Sequence, residues 1–142
     1  MMQADVPRLE TERLVLRGPM RSDFEAYAEI MASPRAEMMF GQLDRDAAWG
    51  VFASDMVGWL LDGFGVWTVT AKDGETPLAF VGASQPPSFP EPEFGWMTTA
   101  GAEGKGYVTE AARVGTAWLR VQGLPTLVSY LDPKNNRSIA VA

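Results

Sequence analysis

Neither cysteine nor histidine occurs in the 142 residues. The first absence excludes a disulfide scaffold and thiolate metal sites. The second excludes Ser-His-Asp and Cys-His nucleophilic catalysis and every histidine-based metal site. Acid–base chemistry would have to use carboxylates, hydroxyls, lysine, chain termini or water. Long apolar runs are also missing, and none approaches the ~20 residues of a membrane span. The start "MMQADVPRLETERL" has no basic segment followed by an apolar one, so no signal peptide is read. A cytoplasmic protein without a bound metal is the expectation.

Positive charge is scarce as well. Twelve Lys and Arg face eighteen Asp and Glu, a net charge of −6. The basic residues are scattered, which argues against a nucleic-acid groove. An acidic surface favours cationic partners such as amines. At 46% hydrophobic, a chain of this length can bury the core of one domain.

Alternation in "LETERLVLRGP" predicts a first strand, with Leu14 and Leu16 on one face and Val15 on the other. "RSDFEAYAEIMAS" predicts a short helix, opened by the capping-box spacing of Ser22 and Glu25. "DRDAAWGVFASDMVGWLLDGFG" predicts a longer amphipathic helix. Asp44 or Asp46 caps it, and Ala48, Phe52, Met56, Trp59 and Leu60 form its buried stripe. The runs Val66–Ala71 and Leu78–Ala83 flank Asp73-Gly74 as a hairpin. Four prolines make "SQPPSFPEPE" an extended loop. "EFGWMTT" follows as a strand, in which Gly95 signals a bulge or a close backbone approach. A helix from Tyr107 to about Val121 buries Val108, Ala111, Ala112, Gly115, Trp118 and Leu119. "TLVSYL" reads as a buried strand, and "DPKNNRSIAVA" opens a last helix capped by Asn135 or Asn136. The strand–helix–strand order from Trp96 to Tyr130 implies a parallel crossover.

The stretch "GAEGKGYVTEAARVG" crowds glycine at a helix entrance, where its helix propensity is poor. A helix N-terminus carries unsatisfied N–H groups and a partial positive charge. Glycines before it let the backbone curl and let an anion approach without meeting a Cβ. Lys105 adds a cation at the rim. The pattern is not a Walker A loop, because Gly106 follows Lys105 where Ser or Thr is required. It is not a Rossmann turn either, in order or context. A plain glycine-rich turn remains the other reading of this stretch by itself.

Taken together, "LETERLVLR", "FGVWTV", "LAFVGA", "EPEFGW", "GKGYVTEAA" and "LVSYLDPKNNRSIAVA" occur in an order that resembles the GCN5-related N-acetyltransferases (GNAT). The resemblance is to their ribosomal-protein-alanine-acetyltransferase-like (RimJ/RimL-like) branch. It implies an α/β (α+β) fold: a mixed, mostly antiparallel twisted sheet flanked by helices. It also implies acetyl-CoA as co-substrate and a primary amine as acceptor, either a small molecule or a protein N-terminus. The family signature (Gln/Arg)-x-x-Gly-x-(Gly/Ala) is matched at Gly104 and Gly106, while its first position holds Gly101.

Carried over residue by residue, the resemblance puts the pyrophosphate on the backbone N–H groups of Gly104, Lys105, Gly106, Tyr107 and Val108. It lays the pantetheine arm against the strand near Met97 and Thr98, where a strand N–H polarises the thioester carbonyl. Asn135 contacts the arm, caps its helix, or does both. Glu93 is the candidate base, directly or through a water, or else a solvated charge at a loop end; Glu91 is a weaker candidate. Ser138 matches the group that protonates the departing thiolate, or is a plain helix-turn hydroxyl. Family members continue past this point with two more strands, so one domain over 1–142, C-terminally incomplete, is expected. A tail beyond Ala142, a shortened gene product and strands supplied by a partner chain, as in a homodimer, are the three explanations. A catalytically silent acyl-CoA-binding module is the alternative function.

Overall fold

In the computed structural model, which describes residues 5–38, 41–124 and 127–129, the first strand is in fact a hairpin. Strand β1 (Leu9–Glu10) turns at Thr11 into β2 (Leu14–Arg17). The Thr11 N–H donates to the Leu14 carbonyl at 2.9 Å, and Thr11 Oγ1 accepts from the Leu14 N–H at 3.0 Å. A threonine side chain can offer the backbone such a local turn bond, and alternation alone does not reveal it.

Helices α1 (Phe24–Ala32) and α2 (Arg45–Leu61) follow. The expected Ser22–Glu25 box does not cap α1. Asp23 closes that entrance by accepting from the Met20 N–H at 2.8 Å, and Glu25 pairs with Arg45 of α2. Buried Asp23 also takes both Arg17 guanidinium nitrogens at 2.9 Å and the Thr68 hydroxyl at 2.9 Å, which ties β2 to α1. Asp44 caps α2, accepting from the Ala47 N–H at 2.8 Å. Ala48, Phe52 and Trp59 are buried as the stripe requires, whereas Leu60 is 46% exposed. A helix turns once per 3.6 residues, so the four-residue steps from Ala48 through Phe52 and Met56 drift around it and carry Leu60 off the buried face.

Among the described residues, strands β3 (Val66–Ala71), β4 (Ala79–Ser84) and β5 (Glu93–Thr98) join the hairpin in a five-stranded sheet in the order β1-β2-β3-β4-β5, each neighbouring pair antiparallel. Helix α3 (Tyr107–Val121) then crosses one face. Side chains alternate across each strand. Leu14, Leu16, Trp67, Val69, Val81 and Phe94 therefore pack with Val108, Ala111 and Leu119 of α3. Val66, Phe80 and Met97 face α1 and α2 on the other side. A Cβ at Gly115 would sit 3.2 Å from the Trp67 ring, so glycine makes room for that ring beneath α3, which lies mainly over β4. Trp59 reaches around the sheet to Trp67 and Trp118, with ring centroids 4.9 and 5.8 Å away.

The expected crossover is present at its far end. Glu93 bridges Val128 in parallel, and the Phe94 N–H donates to the Val128 carbonyl at 2.8 Å. The helix read from "DPKNNRSIAVA" lies outside the described residues, as do Tyr130, Asn135 and Ser138. No described helix is long and apolar enough to cross a membrane.

Candidate active site

Between β5 and α3 the chain makes a 3-10 turn at Ala100–Ala102 and then a glycine turn. Gly104 has φ +73° and Gly106 φ +76°. Both are left-handed, a region that side chains with a Cβ disfavour. Space above Gly101 and Gly104 is open: a Cβ there would meet nothing within 4 Å. Gly106 is the N-cap of the 15-residue α3 and supplies no capping side chain, so the helix-end N–H groups of Tyr107 and Val108 lie at an exposed turn. Lys105 is exposed beside them.

Two arginines hold this turn. Arg35, from the 3-10 segment Pro34–Met38, donates from Nη2 to Thr98 Oγ1 at 2.7 Å, and its Nε lies 2.9 Å from Glu103 Oε1. That second contact is an ion pair off the hydrogen-bond axis, since Nε has no aligned acceptor. Arg13 at the start of β2 donates from Nη1 to the Lys105 carbonyl at 3.0 Å. Glu110, in the first turn of α3, accepts from Thr11 Oγ1, from the Arg13 N–H at 3.1 Å and from Arg13 Nε at 2.7 Å. Partial burial pushes the Glu110 carboxyl upward, but the Thr11 and Arg13 bonds outweigh it and hold it below its ordinary value.

Strand β5 supplies the second part of the site. In its antiparallel ladder with β4, the Thr99 N–H donates to the Leu78 carbonyl at 3.0 Å, and the register pairs Phe80 with Met97. Hydrogen-bonded pairs alternate along such a ladder. Met97 therefore directs its backbone groups at Phe80, while those of Phe94, Trp96 and Thr98 point to the opposite edge. At that edge Phe94 is taken by Val128, and its carbonyl accepts from Ser129 Oγ at 2.7 Å. The two strand residues singled out in the sequence thus differ: Thr98 faces the outer edge with its backbone, and Met97 does not.

Gly95 makes no bulge. It pairs with Gly82 in regular register, and a Cβ on it would meet nothing within 4 Å. Its face of β5, shared with Glu93 and Met97, is open there. Glu93, half-buried at the start of the strand, acts on a group that the sequence did not single out. Asp55 on α2 sits on the inner side of that helix and accepts the Tyr27 hydroxyl at 2.7 Å. Burial pushes the Asp55 carboxyl up to about 7; the Tyr27 bond counters this and the Glu93 charge adds to it. Burial, and then the Asp55 charge, pushes the Tyr27 hydroxyl upward in turn. A signal for Asp55 was present: it lies three residues from Phe52 and four from Trp59, on the stripe where a carboxylate is out of place. Glu91 lies half-buried in the proline-rich loop. Among the described residues, no three His, Cys, Asp or Glu side chains are grouped to hold a metal.

An antiparallel sheet, a last strand met in parallel at its first residues by Val128, and a glycine turn feeding a helix together define an acyl-CoA-type transferase framework. A family model described as an acetyltransferase (GNAT) domain matches residues 13–142. The chain belongs to the GNAT acetyltransferase family and is an acyltransferase. It is similar to an acetyltransferase from Agrobacterium tumefaciens str. C58, with 39% identity and a TM-score of 0.92, covering 99% of this chain and 83% of that one. The ribosomal-protein-S5-alanine acetyltransferase of Vibrio fischeri shares the fold at 19% identity and a TM-score of 0.69, covering 95% and 79%. The microcin C7 self immunity acetyltransferase MccE, solved with acetyl-CoA and AMP, shares it at 16% identity and a TM-score of 0.71, covering 93% and 77%.

Proposed function

We propose that this chain transfers the acetyl group of acetyl-CoA to a primary amine by direct attack in a ternary complex. The glycine turn carries the reading. Two left-handed glycines, open space above Gly104 and an uncapped 15-residue helix suit a pyrophosphate. The N–H groups of Gly104, Lys105, Gly106, Tyr107 and Val108 would hold it, with the Lys105 ammonium at its rim. The outer edge of β5 at Trp96 to Thr98 would line the pantetheine arm, Met97 contributing side chain instead of backbone. Acetyl-CoA supplies the activated acyl group.

Acceptor chemistry is assigned to the other face of β5. The amine sits over Gly95, between Glu93 and Met97. Glu93 takes a proton from the ammonium, directly or through water, so that the nitrogen can attack. A strand N–H at the outer edge steadies the carbonyl oxygen as charge develops there. The C–N bond forms and the C–S bond breaks; the Ser138 hydroxyl gives the sulfur its proton and regains one, through water, from the acylated nitrogen as it becomes a neutral amide. Asn135 holds the arm. The acidic balance of the chain favours a cationic acceptor. The fold shared with a ribosomal-protein-S5-alanine acetyltransferase makes peptides with a free N-terminal alanine the first panel, beside polyamines and amino acids. Thiol release from acetyl-CoA with that panel tests the reading. Tight acetyl-CoA binding without turnover on any amine would leave a silent binding module in its place.

A further inference from the structure

Beyond the transfer reaction, and resting on the coenzyme site proposed for it, we infer that Arg13 is a positioning residue that aims the glycine turn at the pyrophosphate. The observations are geometric. Arg13 Nη1 donates to the Lys105 carbonyl at 3.0 Å. Every described peptide bond is trans, so the carbonyl of Lys105 and the N–H of Gly106 point in opposite directions. Holding the carbonyl toward β2 therefore turns the Gly106 N–H away from β2, outward from the turn. A glycine-rich turn loses much conformational freedom when ordered. An external tether at its centre means that this cost is met in the fold and not on binding.

Arg13 is itself fixed. Its Nε donates to Glu110 Oε1 at 2.7 Å, its Nη2 lies 2.6 Å from the same oxygen, and its guanidinium stacks 4.7 Å from the Tyr107 ring centroid. Thr11 Oγ1 donates to the other Glu110 oxygen. Glu110 would otherwise be a negative charge one turn inside an anion-binding helix end. Arg13 and Thr11 engage both its oxygens on the β2 side. Lysine could supply the charge but not this fork, which binds a carboxylate and a carbonyl together in one plane.

The test measures affinities of wild type, Arg13→Ala and Arg13→Lys for two ligands: acetyl-CoA, and S-acetylpantetheine, which lacks the pyrophosphate. Both variants should weaken acetyl-CoA by about tenfold or more, as loss of a charge-assisted hydrogen bond implies, and leave S-acetylpantetheine within about twofold. If Arg13→Ala unfolds, Arg13→Gln, which keeps part of the stem but loses the guanidinium that reaches the Lys105 carbonyl, should give the same selective loss. Unchanged acetyl-CoA affinity overturns the inference. So does an equal loss for both ligands, which marks general damage, or full recovery in Arg13→Lys, which marks charge alone. Failure of the wild type to bind acetyl-CoA overturns the coenzyme reading itself, a result these variant comparisons cannot mimic.

Discussion

The Tyr27 hydroxyl donates to Asp55 Oδ2 at 2.7 Å across the α1–α2 interface. This joins an acid on α2 to the face of β5 that carries Glu93, since the Glu93 charge acts on Asp55. β3 and β4 contribute no ionisable side chain to the sheet between them. Glu25 on α1 is engaged by Arg45, and Glu29 is exposed. Tyr27 and Glu93 are thus the groups that govern Asp55.

The pH dependence of stability follows from that arrangement. Asp55 has a folded value of about 7 against an ordinary 3.8. Between these limits the folded state holds a proton that the unfolded state has released. Stability must then fall as pH rises through this window. Asp55→Asn, which still accepts from Tyr27, removes the slope. The melting temperature of the variant should gain on wild type steadily from about pH 4 to about pH 8. A constant offset across that range would contradict the assignment.

Asp23 behaves in the opposite sense. Burial pushes its carboxyl up, yet the Arg17, Met20 and Thr68 bonds outweigh that and hold it below its ordinary 3.8. Its contribution is present above that value and is lost as pH falls through the lower folded one. Asp23→Ala leaves Arg17 and buried Thr68 without their shared acceptor and should cost ~3–5 kcal/mol. Urea unfolding at neutral pH measures it. Coenzyme affinity, read on the fraction still folded, should not change.

Glu93→Gln should lower turnover by ~10²–10⁴-fold, the range of a lost general base, while acetyl-CoA affinity holds. The same substitution removes a negative charge from beside Asp55. The pH range over which stability falls should therefore end lower than in wild type, below the value of about 7 set for Asp55 with Glu93 beside it. Normal turnover in Glu93→Gln would transfer the base role elsewhere.

Gly95→Val fills the open face of β5 between Glu93 and Met97 without touching the outer strand edge. β-Branched residues suit strands, so the fold should tolerate it. The acceptor KM should rise while acetyl-CoA affinity stays the same. A fall in coenzyme affinity with an unchanged acceptor KM would place the amine on another surface.

Much of the fold was legible because burial imposes periods on the sequence. The α2 and α3 stripes, the Asp44 cap and the β3–β4 hairpin all follow from spacing within one element. The glycine turn was legible from Gly104 and Gly106, whose positive φ is what glycine permits. Contacts between distant segments were not. Glu110 reads as an ordinary first-turn glutamate until Thr11 and Arg13, 99 and 97 positions away, are brought against it. Gly95 misled, because an empty Cβ position serves an open face as readily as a bulge. The parity that turns Met97 toward β4 depends on pairing, which alternation within one strand does not disclose.

The central claim is that the turn before α3 binds coenzyme pyrophosphate, and calorimetry of acetyl-CoA with wild type and Gly106→Val tests it most directly. Valine disfavours the φ of +76° at that position. The wild type is predicted to bind in the micromolar range, and the variant to show no measurable binding while keeping its far-ultraviolet circular dichroism. Equal affinity in the two proteins would contradict the account.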